Sequence, residues 1–84
     1  MTLADARLGE LLTIRQVGGQ GGFRRRLLEL GLLPGTQVTV KSVAPLGDPI
    51  ELLVRGASLS IRKQEAATVS VTVDLKGQFR SGSP

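Results

Sequence analysis

Alternating hydrophobic and polar positions recur along most of the chain and predict short β-strands. Such period-two alternation is typical of a strand that buries one face. The first segment runs from Glu10 to Val17, where Leu12 and Ile14 lie on the same side. The same pattern returns at Val38–Val40, Ile50–Val54, Leu59–Ile61 and Val69–Val73. The sequence therefore predicts about five strands.

One segment between the first two strands has helical periodicity instead. From Phe23 to Leu30, the apolar residues Phe23, Leu27 and Leu30 are separated by four and three positions, so they share one face of a helix. Gly31 can adopt the left-handed conformation that ends a helix, and Leu32 would then contact Leu27 in a Schellman ending. The pattern predicts one short helix with an inward apolar face.

The order of the predicted elements indicates a small barrel. Lys63 to Ala67 offers about one helical turn before the last strand. An OB-type barrel is the alternative, but it places its helix between the third and fourth strands. We predict a mostly β fold, a small SH3-like barrel of about five antiparallel strands with one short helix between strands 1 and 2. Residues 1–74 would form this domain, and 75–84, which lack periodicity, a disordered C-terminal tail.

Composition limits the chemistry that this fold can carry. The chain has 84 residues with no cysteine and no histidine, so it offers no thiolate or imidazole for catalysis or for binding zinc, copper or iron. Its seven acidic residues are scattered singly, whereas a calcium site needs several oxygen ligands in one loop. We expect no enzyme activity, no bound metal and no cofactor.

Net charge and hydropathy bear on partners and location. Eleven Lys and Arg against seven Asp and Glu give a net charge of +4, which suits nucleic acid, anionic lipid or an acidic protein surface. Only Phe23 and Phe79 are aromatic, and because single-strand readers present aromatic platforms, no nucleic-acid partner is expected. The apolar runs are far shorter than the ~20 residues of a membrane span. With no secretory signal either, we expect a cytoplasmic protein that reaches a membrane only through a partner.

The predicted helix carries the strongest local charge. Arg24 and Arg25 lie in a run of three arginines, whose guanidinium groups can hold a partner's carboxylates or phosphates in a bidentate fork. Glu29 follows Arg25 by four positions and can pair with it on the helix surface. These three residues are candidates for partner contact, and a solvated helix face is the alternative.

A second group of cations flanks the hairpin of the third and fourth strands. Arg55, Arg62 and Lys63 could join Arg15 in one basic side of the barrel. Cations at strand ends also keep a sheet soluble and protect its edges. We treat Arg55, Arg62 and Lys63 as candidate partner contacts and keep the protective role as the alternative.

Two leucines fall at positions that the strand and loop assignments leave exposed. Leu53 lies on the outer side of the third strand, and Leu33 lies between the helix end and Pro34. Exposed leucines indicate a binding site only when they belong to a contiguous patch. Both are candidate partner contacts, and packing at the margin of the core is the alternative for Leu33.

Several segments, in this order and spacing, resemble the FeoA family of accessory proteins of bacterial ferrous iron uptake. There are three: Arg25–Thr36, Ala44–Pro49, and Val54–Gly56 taken together with Leu59–Ala66. Taken singly, these segments are a helix end, a proline turn and a hairpin, and their combination is what resembles the family. Ala57 departs from the pattern because the family often has an aromatic residue there.

The resemblance implies an SH3-like barrel and a role beside FeoB, the membrane iron transporter with an attached GTP-hydrolysing domain. The expected partner is the cytoplasmic part of an FeoB-like transporter, and a homo-oligomer formed through an open barrel edge is a further prediction. The alternative function is a basic barrel that binds nucleic acid or acts as an interaction module of a transcription regulator. A similar domain ends metalloregulators of the diphtheria-toxin-repressor type.

Overall fold

The segments with period-two alternation form one antiparallel sheet. The computed structural model describes residues 1–19 and 21–74, apart from the side chain of Phe23. In this part of the chain, the strands are β1 (Leu11–Val17), β2 (Gln37–Val43), β3 (Ile50–Val54), β4 (Ala57–Ile61) and β5 (Val69–Val73). They are arranged in the order β4-β3-β2-β1-β5. The prediction of a mostly β fold with five antiparallel strands is confirmed.

The helices are short and lie between strands. α1 (Gly21–Glu29) connects β1 to β2 as predicted, α2 (Lys63–Ala66) precedes β5, and a 3-10 helix spans Leu3–Asp5. α1 begins before Phe23, at glycines that helix propensity disfavours. The predicted inward position of the Phe23 side chain and the predicted tail at 75–84 lie outside the described residues.

The C-terminal end of α1 is the predicted Schellman ending. The backbone N–H of Leu32 donates to the carbonyl of Leu27 at 3.1 Å, and that of Gly31 donates to Leu28 at 3.0 Å. Gly31 has a φ of +99°, in the left-handed region where glycine carries no Cβ penalty. Leu27 and Leu32 are both fully buried, so the helix end is joined to the core.

The inward sides of the strands and one side of α1 share a single hydrophobic core. Each large aliphatic side chain that becomes fully buried contributes about 1.5–3 kcal/mol. The buried set in the described residues is Leu3, Leu12, Ile14, Val17, Leu27, Leu32, Val38, Val40, Ile50, Leu52, Val54, Ile61, Ala66, Val69 and Val71.

Two irregularities interrupt the ladders and turn side chains outward. The register between β1 and β5 shifts between Ile14 and Gln16, so Arg15 and Gln16 are both exposed. A second shift occurs between Val40 and Ser42 in the pairing of β2 with β3. Such bulges bend and twist a sheet, which suits the curvature of a small barrel.

The β3–β4 hairpin closes through a two-residue turn. Val54 pairs with Ala57, and the residues between them, Arg55 and Gly56, have φ values of +52° and +82°. Positive φ at both central positions defines a type I′ turn, whose twist matches the flanking strands. The turn places Arg55 at the tip of the hairpin.

Candidate functional site

The arginines of α1 differ in what they contact. The Nε of Arg24 donates to the carbonyl of Val17 at 3.1 Å, which ties the first turn of the helix to the end of β1. Arg26 forms an ion pair with Glu65. Arg25 is exposed, and in the described part of the chain it makes neither a hydrogen bond nor the ion pair with Glu29 that the four-residue spacing predicted. Arg25 and Glu29 are therefore free on the outer face of α1.

Glu65 is a buried carboxylate whose two oxygens are both used within the fold. Its exposed fraction is 4%. Oε1 accepts the backbone N–H of Arg62 at 2.8 Å, and Oε2 accepts the guanidinium of Arg26. A buried charge needs such partners because desolvation is costly. The pair joins α1 to α2. It could not be predicted from the sequence, because the two residues are far apart in the chain.

A groove lies at the turn end of the β3–β4 hairpin. Its volume is about 540 Å³, and its lining is Leu33, Pro34, Gly35, Thr36, Gln37 and Arg55; we call it the turn-end groove. Backbone hydrogen bonds fix its floor to β1, since Gly35 donates to Ile14 at 2.7 Å and Ile14 donates to Thr36 at 2.9 Å. The fold therefore brings two of the predicted contacts, Leu33 and Arg55, into one rigid surface.

The predicted leucines are both on the surface. Leu33 is 39% exposed in the turn-end groove, and Leu53 is 40% exposed. Leu53 lies opposite Thr39 of β2 and Ser58 of β4, on the outer side of the sheet and two residues before Arg55. The two leucines and Arg55 thus belong to the same end of the molecule.

Arg62 and Lys63 lie at the other end of the hairpin. A second cavity of about 300 Å³ is lined by Arg26, Pro49, Ser60, Ile61 and Arg62; we call it the far-end groove. The backbone N–H of Lys63 donates to Oδ1 of Asp48 at 2.9 Å.

The two ends of the hairpin are well separated. A five-residue strand at ~3.3 Å per residue extends about 16 Å, and this length of β4 lies between Arg55 and Arg62. Arg55 and Arg62 thus belong to two basic sites, at opposite ends of the hairpin.

The acidic side chains of the described residues do not form a metal-binding cluster. No group of three or more Asp or Glu side chains that could hold a metal ion occurs there. Hydrogen bonds from the backbone N–H and then the hydroxyl of Thr2 lower the pKa of Asp5. Within residues 1–19 and 21–74, no helix has the length and apolar character needed to cross a membrane.

Known proteins share both the sequence and this architecture. A fusion of Fe(2+) transport protein A with the Fe(2+) transporter FeoB from Porphyromonas gingivalis is 37% identical over 71 residues. The aligned region is 84% of this chain but 8% of the fusion, so the chain spans a small part of that relative.

Two solved structures extend the comparison to the fold. FeoA from Chlorobium tepidum superposes with a TM-score of 0.81 at 37% identity, over 87% of this chain and 70% of that one. FeoA from Stenotrophomonas maltophilia, described as a prokaryotic SH3 domain protein, gives a TM-score of 0.71 at 28% identity, over 86% and 89% of the two chains. The likeness confirms the predicted SH3-like barrel.

The FeoA domain family matches residues 1–73, which include every helix and strand described above. The prediction that the chain is not an enzyme agrees with this match, since the family is one of non-enzymatic accessory domains. The chain therefore belongs to the FeoA family.

Proposed function

We propose that this protein binds the cytoplasmic part of an FeoB-type transporter and modulates ferrous iron uptake without holding iron itself. The observation that carries the proposal is the Porphyromonas gingivalis relative, in which the same domain and the transporter are one chain. A covalent fusion keeps two partners at an effective concentration near the millimolar range. A domain that is not fused to the transporter needs a surface with its own affinity in order to stay bound to it.

The turn-end groove is the surface that best suits this role. It combines an apolar contact from Leu33 with the cation of Arg55, and its floor is fixed by the backbone. Leu53, two residues before Arg55, is exposed on the outer side of the sheet. Arginine is one of the residues enriched among those that carry most of the energy at protein interfaces, and this groove places an arginine beside an apolar side chain. Arg25 and Glu29 lie on the outer face of α1 and would contact the partner only if the partner's binding surface extends beyond the turn-end groove to this helix.

Calorimetric titration against the transporter's soluble cytoplasmic domain tests the proposal. We expect saturable binding, weakened at least tenfold by Leu33→Ser, because the substitution removes the apolar anchor. Leu46→Ser is the matched control, since Leu46 is 93% exposed in the β2–β3 loop. Absence of binding at high micromolar concentration, to both the soluble domain and the full-length transporter, would overturn the proposal.

The same titration separates the alternative function. A basic barrel that binds nucleic acid should shift mixed-sequence RNA at low salt, and the shift should disappear as salt is raised. We expect no such shift.

A further inference from the structure

The edge strand β4 presents backbone groups that nothing in the described structure uses. β4 pairs with β3 on one side and has no strand on its other side in the described residues. In a two-residue hairpin, the pair next to the turn is hydrogen-bonded, and the pairs then alternate. Val54–Ala57, Leu52–Leu59 and Ile50–Ile61 are therefore the bonded pairs.

The alternation turns the remaining two residues of β4 outward. Ser58 and Ser60 lie at the non-bonded positions, so their N–H and C=O groups point away from β3. Neither backbone has another hydrogen-bond partner within residues 1–19 and 21–74. Two donors and two acceptors thus line this edge, spaced by about 7 Å. The strand itself contains no proline and no charged residue, two of the devices that usually block an edge.

The charged residues that directly flank β4 along the chain are positive, while Glu51 of β3 lies opposite Ser60 and Asp48 accepts the backbone N–H of Lys63. Arg55 stands at one end, and Arg62 and Lys63 stand at the other. The lining of the far-end groove includes Ser60 and Arg62. An extended chain placed along β4 would meet cations at both of its ends, which favours acidic residues there.

The same positive charges make it unfavourable for a second copy of this chain, or for its own residues 75–84, to pair with β4. If a second copy paired antiparallel about Leu59, Arg55 of one copy would lie opposite Lys63 of the other. Like charges directly opposite each other destabilise such a pair. Residues 75–84 contain Lys76 and Arg80 and no acidic residue, so their charge has the same unfavourable sign.

From this arrangement we infer that the free edge of β4 binds an extended segment of a partner protein by strand addition. The segment has a short uncharged centre, which pairs with the backbone of Ser58 and Ser60, and acidic residues on both sides. Main-chain hydrogen bonds give affinity in this mode and flanking side chains give specificity. The inference rests on the proposed function, because the transporter would supply the segment.

A synthetic peptide tests the edge without the transporter. The probe is Glu-Glu-Val-Thr-Val-Thr-Val-Glu-Glu with blocked ends, followed by the amide shifts of Ser58 and Ser60 in NMR up to millimolar concentration. We expect saturable shifts at these residues and at least a tenfold loss of affinity when lysine replaces each glutamate. Equal affinity of the two peptides, or no shift, would overturn the inference.

Backbone methylation of the probe separates strand addition from loose charge attraction. Two versions carry N-methyl groups on alternate residues of the centre, so that one set faces β4 and the other faces away. We expect one version to retain its affinity and the other to lose it at least tenfold. The same response from both versions contradicts strand addition.

Variants of the protein test whether the β4 edge is the surface that binds the transporter. Ser60→Pro removes an outward donor, whereas Ser60→Ala removes only a hydroxyl and is the matched control. We expect the proline variant to bind the cytoplasmic domain at least tenfold more weakly, and the alanine variant within twofold of wild type. If the proline variant binds as wild type does, the inference fails and the proposed function stands.

The remaining outcomes are equally distinct. If the wild-type protein does not bind the transporter at all, the proposed function fails, and the peptide titrations alone decide the inference. If sedimentation shows a dimer that Ser60→Pro dissociates, a second copy occupies the edge and the acidic segment is excluded.

Discussion

The two edges of the sheet, β5 and β4, are treated differently by the chain. Along β5, the backbone N–H of Val71 donates to the carbonyl of Met1 at 3.0 Å, and Thr2 forms a bridge with Ser70. Leu3 then enters the core. β4 has no such cover in the described residues. Because an open edge invites pairing with other chains, covering only one edge leaves a single, defined place for a further strand.

The largest expected effect concerns the covered edge. Leu3→Ala should lower the free energy of unfolding by about 2–5 kcal/mol, because it leaves a cavity where a leucine was fully buried. Loss of this anchor should also release Met1 and Thr2 from β5. Chemical denaturation measures the stability, and hydrogen exchange at Val71 measures the release. Leu8→Ala is the control, since Leu8 is 63% exposed; an equal loss in both variants would contradict the assigned anchor.

Proline substitutions test the bonding pattern of the open edge. Leu59→Pro removes a donor to β3, so a buried acceptor loses its partner at a cost of about 1–3 kcal/mol. Ser60→Pro removes a donor that has no partner in the fold, and edge strands accept proline at such positions. We expect the Leu59 variant to be less stable than the Ser60 variant by at least that amount in urea denaturation, because the partly buried leucine side chain is lost as well. The reverse order would mean that the alternation of β4 is inverted.

Substitution of Arg26 tests how much its ion pair with Glu65 contributes to the stability of the fold. Arg26→Ala should reduce stability by about 1 kcal/mol, because it leaves one oxygen of a buried carboxylate without its charged partner. Arg25→Ala, the neighbouring control, should change stability by less than about 0.5 kcal/mol. The midpoints of thermal unfolding compare the two variants, and equal midpoints would show that the pair contributes nothing.

The smallest effect is a pH dependence at the covered edge. Hydrogen bonds from Thr2 lower the pKa of Asp5 below its ordinary value of 3.8. Because the pKa of Asp5 is lower in the folded state, the ionised carboxylate stabilises the fold fully above pH 3.8. This stabilisation is lost as the pH falls through the lowered pKa. The protection of the Val71 amide, measured relative to its intrinsic exchange rate at each pH, should therefore fall in strong acid, and Asp5→Asn should remove this dependence. A carboxyl titration of Asp5 at its ordinary pKa would contradict the assigned bonds.

The strands and the end of α1 could be predicted because their signals are local. Alternation along Leu12 to Ile14 and along Ile50 to Val54 reflects burial of one face of a strand. The Schellman ending was predicted from Gly31 and its leucine neighbours, since a left-handed residue and its hydrophobic contact lie within a few positions.

The rest depends on contacts between distant parts of the chain. Arg26 and Glu65 are 39 residues apart, and no periodicity relates them. The bulge after Ile14 depends on the partner strand as well as on β1. For the same reason, the sequence could name Arg55 and Arg62 as flanking cations but could not show that they lie at opposite ends of the hairpin.

The left-handed backbone of Arg55 gives the protein a built-in trade-off. Its φ of +52° is one that glycine or asparagine adopts more easily, and a larger residue there costs about 1 kcal/mol or more. Arg55→Gly should therefore yield a more stable protein with one cation fewer at the hairpin tip. If that stabilised variant supports less iron uptake, the decrease can be assigned to the missing arginine side chain, because the variant is not less well folded than the wild-type protein.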